Sequence, residues 1–503
     1  MLIVALAMAM SGCTPTPPPT HSPASQPPPT IAATAPILSP TVTPTTNATP
    51  TLSASPLPTM QTTATPAPAG PARLTLSSDE IGAHLDALMQ IATDNNGIRA
   101  AGTSGYDASA DYVAMQLTNM GYQVQRDPFQ FTFFDEAAPV ELTVGDQHWS
   151  GADWLHAMLY SGSGDVTGVV QSVKLTPDGR LINTGGCDPA DWSDFVAGHI
   201  ALIESGPCLR RDQVLNAQNA GAIGLISLYP NWTQGQTRRP TLLDPQGVTI
   251  PAVVAGGEPT QALLAAAAAG ATVELNSQVI TRSATNDNIV AEWPGTTDQV
   301  VMLGAHLDSV LDGPGINDNG SGVATLLSLA RSVVANPEPA KTIRFGLWGA
   351  EEYGELGSRA YTQGLSASEI GRISAYLNLD MVASPGAARF VYDDSSAPPG
   401  SDQLTQLLFG ALSAAGEPGL LTDVGGASDH YPFELAGIPS AGVFSGLNPL
   451  TENERAVFGG EPGIPTDACY HLACDTRANI NLDSALTLGG AVASVVQQLG
   501  YQR

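Results

Sequence analysis

The chain is poor in positive charge. Nineteen lysines and arginines stand against 47 aspartates and glutamates in 503 residues, a formal net charge of -28. Such a balance excludes nucleic acid and anionic membrane surfaces as partners, because both would be repelled. After the first dozen residues no apolar run approaches the ~20 residues that span a bilayer, and the Ala-rich stretch from Ala262 to Ala269 is far too short. No GxSxG elbow, GK[ST] phosphate loop or CxxC pair occurs. Their absence argues against a serine hydrolase, a P-loop nucleotide site and a Cys-rich zinc site. Cysteine itself is scarce: once Cys13 is set aside, Cys187, Cys208, Cys469 and Cys474 remain as two sequence-local pairs. Of the possible connectivities we expect Cys187 with Cys208 and Cys469 with Cys474, which removes them as nucleophiles and fits an exported protein.

The N-terminus is consistent with export. MLIVALAMAMSGC, residues 1–13, resembles a bacterial lipoprotein signal in which Cys13 becomes lipidated; an ordinary secretory signal with an incidental cysteine is the alternative. Residues 14–72 are Pro, Thr, Ser and Ala with almost no charge, so they cannot bury a core and read as an extended stalk. The protein is therefore expected at the cell surface, held to the membrane only through a lipid at Cys13, or secreted after cleavage of the stalk.

The folded body starts near Leu74. SSDEIGAHLDALMQIA pairs Ser77 with Glu80 in a capping box ahead of helically spaced Ile81, Leu85 and Leu88. A second helix is expected over 108–120, closed by Gly121. Strand-like runs follow, and between 138 and 282 short apolar runs alternate with Gly-containing turns, which suggests a β-rich unit with a helix or two. From Asn286 onward buried-type strands alternate with amphipathic helices, the pattern of a doubly wound α/β domain.

The stretch GAHLDSVLDGPGINDNGSG, 304–322, gathers His306, Asp308, Asp312 and Asp318 on backbone that can turn sharply, as a cation site requires. Strand QVVML runs into His306, TIRFGLW into Glu351 and Glu352, and AYLNL into Asp380. In open α/β sheets, ligands bind beyond the carboxyl ends of the strands, so these distant segments should converge on one rim.

HLDS, GPGINDNGSG, WGAEEYG, LNLDM, SDHYPF and CYHLAC, in this order, resemble the M28 family of zinc metallopeptidases, most closely its secreted bacterial aminopeptidases. The likeness covers about 74–133 and 284–502. Between them, GCDPADW, GHIALIESGPC and NAQNAGAIGLI resemble a protease-associated (PA) domain. The resemblance implies a mixed-sheet zinc-exopeptidase domain made of 73–137 and 283–503, with a β-rich PA domain inserted as 138–282. It implies two zinc ions, one held by His306 and Asp380, the other by Glu352 and His471, with Asp318 bridging and a cis peptide after it. Five N and O ligands would leave positions open for water and substrate, as catalytic sites require. Hydrolysis would then proceed through a metal-bridging hydroxide, with Glu351 as general base.

Tyr470 matches a family tyrosine that helps stabilise the tetrahedral oxyanion, although a tyrosine merely packed beside a disulfide would look the same. Asp308 is expected to orient the His306 imidazole by hydrogen bonding, and Asp429 and His430 to border the site or to serve structurally. Ala427 departs from relatives that carry a larger polar or basic residue there. His84, His148, His156 and His199 fall outside every motif. The expected function is a monomeric aminopeptidase acting on peptide or protein N-termini, apolar ones by preference. A carboxypeptidase or dipeptidase of the same fold, and a noncatalytic surface peptide-binding protein, are the alternatives.

Overall fold

The computed structural model describes residues 72–176, 180, 182 and 184–502. The expected signal with Cys13, and all of the stalk but Ala72, lie outside them. Among the described residues the strands form two eight-stranded sheets.

The first sheet runs, in spatial order, Gln123–Glu136, Val279–Trp293, Thr342–Trp348, Val300–His306, Ile373–Leu379, Ser440–Phe444, Phe390–Tyr392 and Leu420–Thr422. Its middle four strands are parallel, Val279–Trp293 and Phe390–Tyr392 join them antiparallel on either side, and the outermost pairs are antiparallel at the Gln123–Glu136 edge and parallel at the Leu420–Thr422 edge. The parallel centre is buried on both faces, which is why its strands read as near-continuous apolar runs. Side chains alternate between the faces: Val301, Leu303 and Ala305 meet helices Ser78–Asp94, Ser104–Met120, Gly320–Val334, Ser401–Ala414 and Leu482–Tyr501. Val300 and Met302 point the other way, into a cluster with Tyr361 and Phe433 from the short helices Leu356–Gly364 and His430–Leu435. The sheet is thus doubly wound and mixed.

The second sheet is ordered Gln147–Ser150, Glu141–Val144, Thr272–Ser277, Gly164–Ser172, Ile200–Ile203, Gly224–Tyr229, Ala252–Gly256 and Leu155–Ala157, with helices Arg210–Asn219 and Glu258–Ala269. It hangs from the first on a two-stranded ribbon, in which Gln123 pairs with Glu292 at one end and Glu136 with Val279 at the other. Strand Val279–Trp293 runs unbroken through 282–283, so the sequence change seen there lies within a continuous strand. Phe131, Phe133 and Phe134 of the ribbon enter the core of the insert together with Tyr353.

Two local expectations need correction. The first helix begins with half a capping box: Ser77 Oγ accepts from the Glu80 amide at 3.3 Å, but the Ser77 amide donates to Ser328 Oγ. Glu80 instead accepts from Ser328, because the neighbouring helix offers its carboxylate a closer partner. The second helix starts at Ser104, earlier than its apolar spacing suggests, and ends at Gly121, whose φ of 96° suits a residue without a side chain.

Candidate metal centre

Four of the five candidate ligands, and Glu351, sit at or just past a strand end or at a helix start, whereas His471 lies in the short loop closed by Cys469 and Cys474. His306 ends its strand, and Asp380 directly follows Leu379. Glu351 and Glu352 lie on the turn after Trp348, and Asp318 precedes Asn319, which caps helix Gly320–Val334. That helix packs so tightly against the end of strand Ile373–Leu379 that a Cβ at Gly322 would lie 2.4 Å from the Leu379 carbonyl oxygen. The close approach brings Asp318 beside Asp380. The peptide bond between Asp318 and Asn319 is cis.

These residues form two trios that share Asp318. His306 Nε2 lies 3.1 Å from Asp318 Oδ1 and 3.3 Å from Asp380 Oδ1. His471 Nε2 lies 3.1 Å from Asp318 Oδ2 and 3.1 Å from Glu352 Oε2. The carboxylate of Asp318 therefore offers one oxygen to each trio, as a bridging ligand does. Donors ~2.0 Å from a tetrahedral zinc stand about 3.3 Å apart, so both trios have the spacing of zinc donor sets. Glu352 Oε1 is buried without a hydrogen-bond partner, and Asp380 Oδ1 has only the His306 ring beside it, so both oxygens are free to take a cation.

The electrostatics also call for a cation. Burial opposes a charged imidazole, yet Glu352 and Asp318 outweigh it and lift His471 to about 10. His306 is lifted likewise, against burial, by Asp380 and Glu351. Burial pushes the Asp318 carboxyl up, but hydrogen bonds with His306 and His471 hold it well below the usual carboxylate range. Glu351 is pushed well above that range, first by burial, with Glu352, Asp429 and Asp380 adding and His306 opposing.

The surroundings correct several sequence readings. Asp308 meets the His306 ring through its backbone carbonyl, 3.1 Å from Nδ1, while its carboxylate is 3.8 Å away. That carboxylate instead accepts from the amides of Glu351 at 3.2 Å and Glu352 at 3.4 Å, and so holds their turn. Asp312 turns away from the centre and binds Arg239 of the insert at 2.9 Å. In the SDH segment it is Ser428 that reaches a candidate ligand, donating to Asp380 Oδ2 at 2.7 Å. Asp429 is buried behind it, accepting from Ser358 at 2.5 Å, and His430 packs 4.8 Å from the Tyr392 ring.

Cys469 and Cys474 are bonded, as are Cys187 and Cys208. The short loop carries Tyr470 stacked on His471 at 3.8 Å between ring centroids, and His471 has a φ of 58°, a conformation costly to a residue with a side chain. His84, His148 and His199 bond to Tyr112, Thr143 and Gln171, far from the centre in contact terms. His156 joins Glu136 where the insert meets the ribbon.

Sequence reasoning missed three groups. Buried Arg99 donates to the carbonyls of Leu307, Pro314 and Gly315, fixing the loop that follows His306. Asp475 accepts from the amides of Asn317 at 2.9 Å and Asp318 at 3.0 Å. Arg238 of the insert lies over Tyr470. None sits at a strand end or within the motifs that pointed to the others.

Comparison with known proteins decides the family. Residues 288–496 match the model of peptidase family M28, and 170–263 match the PA domain. The chain is 36% identical over 441 residues to an aminopeptidase of Pseudomonas aeruginosa, spanning 84% of this chain and 81% of that one. The chain belongs to peptidase family M28. A probable lipoprotein aminopeptidase of Mycobacterium tuberculosis is 36% identical over 430 residues, 83% of each. Among solved structures, this M28 chain is similar to an aminopeptidase from Aneurinibacillus sp. strain AM-1, with 27% identity and a TM-score of 0.69 over 85% of this chain and 95% of that one. It is also similar to a zinc aminopeptidase from Bacillus subtilis, with 25% identity and a TM-score of 0.67 over 86% and 97%.

Proposed function

We infer that the protein is a zinc-dependent aminopeptidase that removes N-terminal residues, apolar ones by preference, from peptides. The observation that carries this reading is the pair of donor trios sharing Asp318 at one end of a cavity of about 350 Å³. That volume is at the low end for ligand pockets, about 300 to 1,000 Å³, and suits one residue better than an extended segment. Besides the donors, it is lined by Phe390, Tyr392, Val424, Phe444, Leu447 and Leu450, which would bury an apolar side chain.

His306, Asp318 and Asp380 would hold one zinc, and Asp318, Glu352 and His471 the other. A bound zinc pair supplies Lewis acidity, which makes water a nucleophile near neutral pH and polarises the scissile carbonyl. Glu351 lines the cavity without being needed to complete either trio, so it takes the proton of the attacking water and returns it to the leaving amine. Burial keeps the Tyr470 hydroxyl protonated, with the nearby Asp318 and Glu352 acting the same way, so it can donate to the oxyanion. Ser428 and Asp308 steady Asp380 and the Glu351–Glu352 turn. The five candidate donors complete both trios within one chain, so the site as read needs no second subunit, and we take the protein to act as a monomer.

Two disulfides and the name of the mycobacterial relative support an exported, lipid-anchored protein. The donor set would serve a carboxypeptidase equally well; the names of the relatives favour the amino end. The test is a Leu-initiated peptide in free, N-acetylated and C-amidated forms, with and without chelator, read by mass spectrometry. Loss of Leu from the free and amidated forms, blocked by acetylation and chelation, is expected. Trimming of the acetylated peptide from its other end would establish a carboxypeptidase instead.

A further inference from the structure

The insert reaches the catalytic body through a strap, residues 237–244. It is tied to its own sheet by hydrogen bonds from Leu159 N to Pro240 O at 2.9 Å and from Leu242 N to Leu159 O at 3.0 Å. Pro240 keeps Arg239 extended, and successive side chains on extended backbone point to opposite sides. Arg239 goes into a buried clamp, 2.9 Å from Asp312, 3.3 Å from Asp135 and 3.7 Å from Glu136. Its neighbour Arg238 therefore has to face the other way. Its guanidinium carbon lies 5.2 Å from the centroid of the Tyr470 ring, whose neighbour in the loop, His471, also stacks on it. Further along, Leu243 Cδ2 lies 3.4 Å from where a Cβ on Gly354 would stand, so the strap also touches the turn that bears Glu351.

Arg238 has no obvious structural purpose of its own. Its Nε is buried and has no hydrogen-bond partner, and among the described residues no ion pair is formed with it. A half-buried guanidinium without an ion-pair partner is costly, and it lies against the face of Tyr470, where a cation is attracted by the ring quadrupole, with the charge of Asp467 adding to the attraction.

We propose that Arg238, delivered by the inserted domain, is a positioning residue for catalysis: it holds the Tyr470 ring against His471 so that the phenol stays aimed at the reacting carbonyl. The inserted domain is then part of the catalytic apparatus rather than only a cover over it. This rests on the reading of Tyr470 as oxyanion donor, and the experiment separates the two.

The test is a double-mutant cycle on the zinc-loaded full chain with a leucine anilide and a Leu-initiated tripeptide. Tyr470→Phe alone examines the oxyanion reading, and about a 100-fold loss in kcat is expected from removing one such donor. Arg238→Ala should lower kcat about tenfold on both substrates, the size of a well-desolvated cation–π contact, with KM and zinc content unchanged. Arg238→Lys should restore most of that loss, and Arg238→Ala placed on Tyr470→Phe should cost nothing more. As a readout apart from turnover, Arg238→Ala should weaken binding of a leucine phosphonate, a tetrahedral mimic, and leave binding of leucine unchanged. Losses that multiply in the double variant, or that fall on KM for the tripeptide alone, would mean that Arg238 contacts the leaving peptide and would overturn the proposal. Unchanged kcat in Arg238→Ala would overturn it too, while unchanged kcat in Tyr470→Phe would remove the oxyanion reading and the proposal together.

Discussion

Glu351→Gln probes the chemistry with the least disturbance, since it keeps the shape of the side chain and removes only its ability to carry and release a proton. The turn should survive, because Asp308 holds it through the backbone amides of residues 351 and 352. Folding should not suffer either. Glutamine fills the same space as glutamate, and in the metal-free chain burial, with the charges of Glu352, Asp429 and Asp380, already disfavours a carboxylate at this position. General acid–base catalysis contributes about 10² to 10⁴-fold. Glu351 serves two proton transfers here, so kcat should fall about 10³ to 10⁴-fold, or ~4 to 5.5 kcal/mol of transition-state stabilisation. Zinc content, measured by mass spectrometry of the elements, should remain that of the wild type. The structure contains a definite rival: His306, Glu351 and Glu352 also bring donor atoms within 4.8 Å of one another. If Glu351 were a ligand in that set, the variant would lose metal along with turnover. Loss of zinc, or a kcat within tenfold of wild type, would refute the assignment.

Three further outcomes follow from the same geometry. Chelation should lower the thermal midpoint and zinc should restore it, because a cation bound only by the folded chain stabilises it, and without one Glu352 Oε1 is buried without a hydrogen-bond partner; a midpoint indifferent to both would count against a metal centre. Burial lowers the pKa of His430 from 6.5 to about 4, with Asp380 opposing. Its contribution to stability is therefore complete above 6.5 and is lost as pH falls toward 4, when the unfolded chain takes up a proton that the folded chain refuses. The pKa difference corresponds to about 3 kcal/mol, so His430→Asn should flatten the acid limb of a stability profile measured by urea unfolding between pH 4 and 6.5, and an unchanged slope would sink this reading. Finally, the two disulfides should separate. Replacing Cys187 and Cys208, 21 residues apart, should cost about 3 kcal/mol of stability by loop-closure entropy and spare kcat. Replacing Cys469 and Cys474, only 5 apart, should cost about 2 kcal/mol but lower kcat, since their loop holds Tyr470 and the left-handed backbone of His471; equal kinetics in the two variants would contradict that.

Much of this molecule was legible one segment at a time. The apolar strands Val300–His306, Thr342–Trp348 and Ile373–Leu379 announce a sheet covered on both faces, and a hydrophilic residue just past each strand end announces the rim where ligands gather. His306, Asp318, Glu352 and Asp380 could be chosen because strand ends, a helix start and motif order agree on them, His471 rests on the motif resemblance alone, and the structure brings all five together. Cysteine spacing likewise led to the right pairs.

What spacing could not say was which way a side chain turns and what it meets across the fold. Asp308 and Asp312 look alike in one loop, yet one uses its carboxylate to hold the Glu351 turn and the other leaves to bind Arg239, 73 residues away. In the SDH segment, the serine touches a candidate ligand while the aspartate and histidine lie behind it, because the start of a six-residue helix points them to different sides. Arg99, Arg238 and Asp475 carry no local mark at all. Sequence by itself determined the elements, the strand-end positions of the donors and the family, since these depend on periodicity and short-range order. Only the tertiary structure decided that the Asp308 carboxylate holds the Glu351 turn rather than the His306 ring and that the inserted domain supplies a cation to the catalytic loop. Both are contacts between segments far apart in the chain, set by how helices, ribbon and strap pack, which no local pattern encodes.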